Sequence, residues 1–351
     1  MHSDLDETSD VRRTSDPRQV PATMRAAVCV RAGGPEVLEL RELPVPAVRE
    51  GWSLVEVKGA GLNRSELRTR QGHSPSVRFP RVLGIECAGT VAVSTSTALP
   101  AGTTVAAVMG EMGRAFDGGY AQYALLPNSL LMPVTTTLPW DVLAALPETY
   151  LTAQGALGAL GVAPGGGGRL LIRGGTSSVG MAALSIASGY GADTAATTRR
   201  QAKAGALAAA GAGHVLIDDG GPLAAGVHAI WPEGPDYVLD LVGASTVTES
   251  LRLVCRGGTV CMAGSLSGWL IPDFQPVAMI PSGTRLTAFH SDDMKGSAGA
   301  AALRRVVREV EAGVCRPNID RVFGLDEIVA AHQYMENNRA AGKVVVLPWP
   351  R

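Results

Sequence analysis

Residues 169–180 read RLLIRGGTSSVG, a short apolar run that passes through a glycine-serine turn into a helical pattern. Backbone N–H groups at such a turn, and at the helix start behind it, favour negative charge and can cradle a pyrophosphate. In the fingerprint G-x-G-x-x-G the glycines serve a sharp turn, close approach to the pyrophosphate, and helix–strand packing. The corresponding residues here are Gly175, Ser177 and Gly180, so a serine takes the middle place. The Ser177 hydroxyl is able to donate to a phosphate oxygen, and Ser178 either does the same or caps the helix. A second glycine run, Gly165 to Gly168, is read as a loop ahead of the strand. Downstream, DTAATTRRQAK ends a strand in Thr197, Thr198, Arg199 and Arg200, with Lys203 one step into the next helix. An acidic residue there would accept from a ribose hydroxyl and repel a phosphate, whereas Arg forks onto one. Cations at a helix start also oppose the helix dipole, which favours a ligand as the reason for them. The two segments together predict a bound NADPH, and with it redox chemistry.

Elements must hold these residues in place. From about residue 140 the pattern alternates between strands and helices. A helical stretch at 141–161 precedes strands near 169–173, 193–198, 214–217, 236–242, 259–263 and 284–290. Between them lie helices near 178–189, 200–211, 222–230 and 244–255. Short strands rich in Val, Leu and Ile suit a parallel sheet covered on both faces, so the expectation is a doubly wound α/β Rossmann sheet. Before residue 140, β-like runs at 24–31, 52–60, 88–93, 104–109 and 120–126 are separated by Gly and Pro, as in a β-rich unit. Helices near 300–312 and 325–337 lead to a last strand, KVVVL at 343–347, expected to return to the first unit.

Composition narrows the function classes. The chain has 351 residues, 18% of them charged, and a net charge of −1, which gives no field to steer nucleic acid or an anionic membrane. No apolar run approaches the ~20 residues that span a bilayer. Residues 1–23 are polar and lack the apolar stretch of a signal peptide; they read as a disordered tail, or as a start placed ahead of the true opening at Met24. The five cysteines (Cys29, Cys87, Cys255, Cys261, Cys315) are odd in number and show no C-x-x-C spacing, so they read as buried thiols in a reducing cytoplasm. No two of the six histidines stand at i, i+4, so no helical zinc pair is predicted.

A set of motifs in order carries a family resemblance: GAGLNRSELRTRQG (59–72), FPRVLGIECAGTV (79–91), DGGYAQY (117–123), LTAQGAL (151–157), RGGTSSVGMAALSIA (173–187), ATTRRQAK (196–203), DLVG (240–243), VCMAG (260–264) and AAGKVVV (340–346). Over residues 24–348 the chain resembles the zinc-independent, quinone reductase-like branch of the medium-chain dehydrogenase/reductase superfamily. Zinc-dependent members have a Cys where this chain has Gly61-Leu62-Asn63-Arg64, and Gly-His-Glu where it has Gly84-Ile85-Glu86; the four-cysteine structural lobe is also missing. No metal is therefore expected.

The resemblance implies a GroES-like catalytic domain (24–145 and 289–351) around a Rossmann domain (146–288), with a cleft between them and often a homodimer through an edge strand, here 284–290. It implies that Asn63 lies near the nicotinamide and Thr152 on the pyrophosphate or nicotinamide side. Ser177, Ser178 and Val179 would form the pyrophosphate turn, while Thr198, Arg199, Arg200 and Lys203 would surround the 2′-phosphate. Gly243, Gly264 and Ser265 would line the nicotinamide half, and Lys343 would close over it. Related enoyl reductases often carry a proton-donating Tyr after the glycine that is Gly72 here; this chain has His73. His73, Arg64 and Tyr150 are the candidate donors, Tyr150 having packing as its competing role. Residues 110–118 and 266–281, with Met112, Phe116, Trp269, Phe274 and Met279, either line a pocket for a flat apolar ligand or pack the interface. The activity implied is hydride transfer from NADPH to a quinone or an activated α,β-unsaturated carbonyl. The alternatives are a dedicated enoyl reductase of a specialised pathway and a non-catalytic NADPH-binding sensor.

Overall fold

The computed structural model describes residues 20–350; most of the expected tail, residues 1–19, lies outside the described residues. The chain is already in place at Val20, which packs against the core, and the first strand opens at Thr23, one residue before Met24.

Six parallel strands form one sheet in the spatial order 214–217, 193–198, 169–173, 237–240, 259–262, 285–288. In chain order this is 3-2-1-4-5-6, the doubly wound arrangement that puts a ligand crevice outside the carboxyl ends of the strands. Its strands bury Leu170, Leu171, Ile172, Val238, Leu239 and Val260 on both faces, as a covered parallel sheet must.

The second, seven-stranded sheet is built on the long strand Trp52–Leu62, which pairs antiparallel with Glu86–Ser94, Tyr123–Pro127 and Lys343–Leu347. The last of these brings the end of the chain beside its beginning. A smaller three-stranded sheet joins Thr23–Cys29 to Leu38–Pro44 and Arg81–Val82.

Three details depart from the sequence reading. The helical stretch at 141–161 is two helices, Trp140–Ala144 and Pro147–Leu160, because Pro147 has no N–H to continue the first and is well placed to start the second. The stretch at 200–211 begins as a single 3-10 turn, Gln201–Lys203, before the helix Ala204–Ala209. The helix Arg64–Arg70 and the strands Leu38–Pro44 and Ile319–Gly324 add elements not expected.

Candidate active site

The turn after the strand Arg169–Arg173 is tight at every glycine. Gly174 sits at φ +75°, and a Cβ on Gly175 would come within 2.9 Å of the Ala196 side chain. A Cβ on Gly180 would meet the Gly175 carbonyl at 2.6 Å. The Ser177 hydroxyl does not point to a ligand: it donates to the Gly174 carbonyl (2.8 Å) and accepts from the Gly180 N–H (3.1 Å). This corrects the phosphate contact expected of that hydroxyl, which is instead the N-cap of the helix Ser178–Gly189. With the cap made, the N–H groups of Ser178 and Val179 have no partner among the described residues. Two open donors at the N-terminus of a twelve-residue helix fit a pyrophosphate.

Next to this turn the loop after the strand Tyr237–Asp240 is held from below. The buried Asp240 carboxylate accepts from the Val242 and Gly243 N–H groups (3.0 and 2.9 Å) and from the hydroxyls of Thr246 and Ser250. Gly243, at φ +101°, lies so close to Gly264 that a Cβ on it would fall 2.8 Å from the Gly264 carbonyl, and a Cβ on Gly264 would fall 2.1 Å from the Leu241 carbonyl. Ser265 follows, partly exposed.

Four cations converge at the end of the strand Asp193–Thr198. Arg199 and Arg200 are exposed beyond Thr198, whose buried hydroxyl accepts from the Arg200 N–H at 3.3 Å. Lys203 reaches across to the carbonyls of Asn338 (3.0 Å) and Ala340 (2.5 Å), and Arg64 donates to the Asn338 side chain. Partial burial, and then the charge of Arg199, hold the Arg64 guanidinium below its ordinary value. Partial burial also lowers Lys203, with Arg200, Arg199 and Arg64 pushing the same way. A cluster whose members disfavour one another's charge is suited to an anion. Arg64, one of the candidate donors, stands in this cluster.

Beneath the cleft lies a buried polar network. Lys343 is 2% exposed; its Nζ donates to Glu86 Oε1 at 2.5 Å and to Asn63 Oδ1 at 2.6 Å. Lys343, expected to close over the nicotinamide, is buried as the counter-ion of Glu86. Asn63 Nδ2 donates to the same Glu86 oxygen (2.9 Å), and the Glu148 N–H donates to the other (2.8 Å). Glu66 accepts from the N–H groups of Asn63 and Ile85, both at 3.0 Å. Gly61 makes room for all of this, since a Cβ there would lie 2.0 Å from Glu86 Oε1. Glu148 accepts from the Thr152 hydroxyl at 3.3 Å, and its Oε2 is buried without a partner. Burial, and after other contributions the charge of Glu86, push Glu66 up to about 7. Burial and then Glu86 do the same to Glu148.

The other predicted donors stand elsewhere. The Tyr150 hydroxyl is buried and donates to the Arg316 carbonyl, so this residue takes the packing role. His73 is exposed on the loop after the helix Arg64–Arg70. Of the pocket residues, Met112 is buried in the β-rich core, and Phe116 packs edge-on to Trp52 at 5.2 Å. Phe274 packs partly against the core beside the parallel sheet, and Met279 Sδ accepts from the Gln275 N–H at 3.4 Å. Trp269 is exposed, with the Arg68 guanidinium 5.7 Å above its ring.

Residues 49–136 match the alcohol dehydrogenase GroES-like domain family, and residues 210–346 match the zinc-binding dehydrogenase family. Human quinone oxidoreductase is 27% identical over 330 residues, 92% of this chain and 98% of its own. The chloroplastic NADPH-dependent alkenal/one oxidoreductase of Arabidopsis thaliana is 27% identical over 348 residues, 94% of this chain and 81% of that one. A mycobacterial protein solved in complex with NADPH superposes with a TM-score of 0.82 at 27% identity, over 93% of this chain and 100% of the other. The chain belongs to the zinc-independent, quinone oxidoreductase-like branch of the medium-chain dehydrogenase/reductases. It is an oxidoreductase of the pyridine-nucleotide-binding kind.

Within that superfamily the positions that hold zinc are filled here by other chemistry. Asn63 offers an amide, Ile85 no ligand, and the Glu86 carboxylate is already paired with Lys343. A zinc ion does not fit this donor set. The fixed positive charge between the carboxylates is an ammonium. Sequence reading missed Glu66, Glu86 and Glu148 as a group; Glu86 in the Gly84-Ile85-Glu86 motif was the available signal.

Proposed function

We propose that the chain is an NADPH-dependent reductase that transfers hydride to a quinone or to an activated α,β-unsaturated carbonyl without a metal. The observation that carries this is the convergence of Arg64, Arg199, Arg200 and Lys203 at the end of the strand Asp193–Thr198, drawn from both sheets' units, where the adenosine end of the cofactor would lie. The reading takes residues 24–145 with 289–351 as the catalytic unit and 146–288 as the nucleotide unit. Ser178 and Val179 would hold the pyrophosphate through their N–H groups, and Gly243, Gly264, Ser265 and Thr152 would border the nicotinamide. Bound there, the cofactor supplies the hydride; the protein orients it and keeps water out. The relatives' names, quinone oxidoreductase and alkenal/one oxidoreductase, support the two substrate classes.

The same reading makes the chain a cytoplasmic homodimer. Its five thiols are unpaired, as a reducing compartment requires. The strand Arg285–Ala288 is a free sheet edge beside a stretch that exposes Leu266, Trp269, Leu270 and Val277. No helix among the described residues is long and apolar enough to cross a membrane.

The test is NADPH and NADH titration of the wild type and of Arg199→Ala with Lys203→Ala, followed by NADPH oxidation with a quinone panel and with α,β-unsaturated ketones. Charge-assisted contacts contribute about 1.5–3 kcal/mol each, so the double variant should weaken NADPH by well over tenfold and NADH little. Equal loss for both cofactors overturns the phosphate site. Good NADPH binding with no turnover of either substrate class overturns the reductase.

A further inference from the structure

Three carboxylates, Glu66, Glu86 and Glu148, surround a single ammonium, Lys343. Their hydrogen bonds are unequal. Glu86 takes Lys343, Asn63 Nδ2 and a backbone N–H; Glu66 takes two backbone N–H groups and, at 3.4 Å, Asn63 Nδ2. Glu148 takes the Thr152 hydroxyl, and its Oε2 is buried and unpartnered among the described residues. The carboxyl with the fewest donors keeps the proton when one charge cannot balance three. The charged groups that face Glu148 are Glu86 from the strand Glu86–Ser94 and Lys343 from the strand Lys343–Leu347. Thr152 and Ser291 add neutral hydroxyls near it.

Its placement is on the ligand side of the parallel sheet. The helix Pro147–Leu160 meets Phe289, just past the carboxyl end of the strand Arg285–Ala288, at Gly155, where a Cβ would fall 2.0 Å from the Phe289 ring. Glu148 lies seven residues nearer the helix start, about 10 Å further out at ~1.5 Å per residue, and on the same face as Thr152 and Gly155. That is the space outside the strand ends where ligands of such sheets bind.

We propose that Glu148 is a proton reservoir for the reduction of enones, passing its proton through the Thr152 hydroxyl to the carbon next to the one that receives hydride. This deepens the reductase reading and rests on it. Hydride addition to the β-carbon leaves the electron pair on the enolate. The α-carbon takes the Thr152 hydroxyl proton, Thr152 takes the Glu148 proton, and Glu148 becomes a carboxylate that solvent water reprotonates after product leaves. Quinones need no protonation at carbon, so they draw on this relay less.

The experiment compares the wild type with Glu148→Gln, Thr152→Val and Thr152→Ser in the full chain. General-acid assistance contributes about 10²–10⁴-fold, so Glu148→Gln and Thr152→Val should each lower the enone-to-quinone ratio of kcat by at least about tenfold, with Thr152→Ser restoring it. Infrared spectra of the cofactor-free protein at neutral pH give an independent reading. The carbonyl stretch of a protonated carboxylic acid should weaken in Glu148→Gln and persist in Thr152→Val. An unchanged ratio in Glu148→Gln, or an unchanged infrared band, overturns the relay. Wild type that reduces neither substrate class sinks the parent reading instead, and this inference with it. Should Glu148→Gln not fold, Thr152→Val carries the same test.

Discussion

Lys343 and Glu86 show what a single residue contributes to this molecule. Both are fully enclosed, and among the described residues each is the other's only opposite charge within hydrogen-bond reach. Breaking a buried pair by removing one partner leaves an uncompensated charge and costs about 3–5 kcal/mol. Lys343→Met should lower unfolding stability by that order in urea titration, and adding Glu86→Gln should recover part of it. If Lys343→Met is neutral, the network is solvated and the pairing has been overvalued. The sequence made the position of Lys343 visible through AAGKVVV but not its depth, because a motif gives a place along the chain and not a direction of the side chain. The placing of Arg199 and Arg200 was legible for the opposite reason: charge at a strand end is a local feature. Arg64 reaches the same cluster from another unit through Asn338, and nothing near it in the chain announces that.

At the scale of elements, the turn after the strand Arg169–Arg173 depends on the cap that Ser177 provides. Ser177→Ala should cost about 1 kcal/mol of stability and weaken cofactor binding, while Ser177→Gly costs only a few tenths. Thermal unfolding with and without NADPH checks both; equal effects of Ala and Gly would mean that the hydroxyl does not cap. The alternating strands and helices of the nucleotide unit could be read from the chain because Gly and Pro mark their ends and short apolar runs mark the strands. The helix Arg64–Arg70 escaped because RSELRTR has no apolar period. Its start was nonetheless written in Asn63 and Glu66, an N-cap type followed three residues later by Glu, and Glu66 does accept from the Asn63 N–H. The strand Leu38–Pro44 escaped because all but one of its residues are exposed or half-buried, as on a sheet edge.

For the whole molecule, buried titratable groups set a response to pH with two opposed parts. Burial, and then the Arg70 guanidinium, hold His332 down to about 3. An unfolded chain takes up that proton below about pH 6.5 while the folded one refuses it, so stability is lost as pH falls from about 6.5 towards 3. Glu66 and Glu148 are raised, so the folded chain keeps protons that the unfolded one releases; their contribution is lost as pH rises from about 4.5 to 7. His332→Gln should therefore flatten the decline of Tm on the acid side, and a slope equal to that of the wild type would show that His332 titrates normally in the fold. Association is the other property at this scale. Leu270→Asp with Val277→Asp should give a monomer by light scattering if the exposed stretch near the sheet edge joins two copies; an unchanged mass places the contact elsewhere.

The pairing of Lys343 with Glu86 joins residues 257 positions apart. A ribosome delivers the acidic side of that pair long before the basic side, and domains tend to fold as they emerge. Throughout synthesis the nascent β-rich half must wait with Glu66 and Glu86 lacking the cation that later neutralises them. Completion of this centre thus reports that translation has run past residue 343, and a prematurely stopped chain would carry an unbalanced acidic interior that chaperones and proteases can recognise.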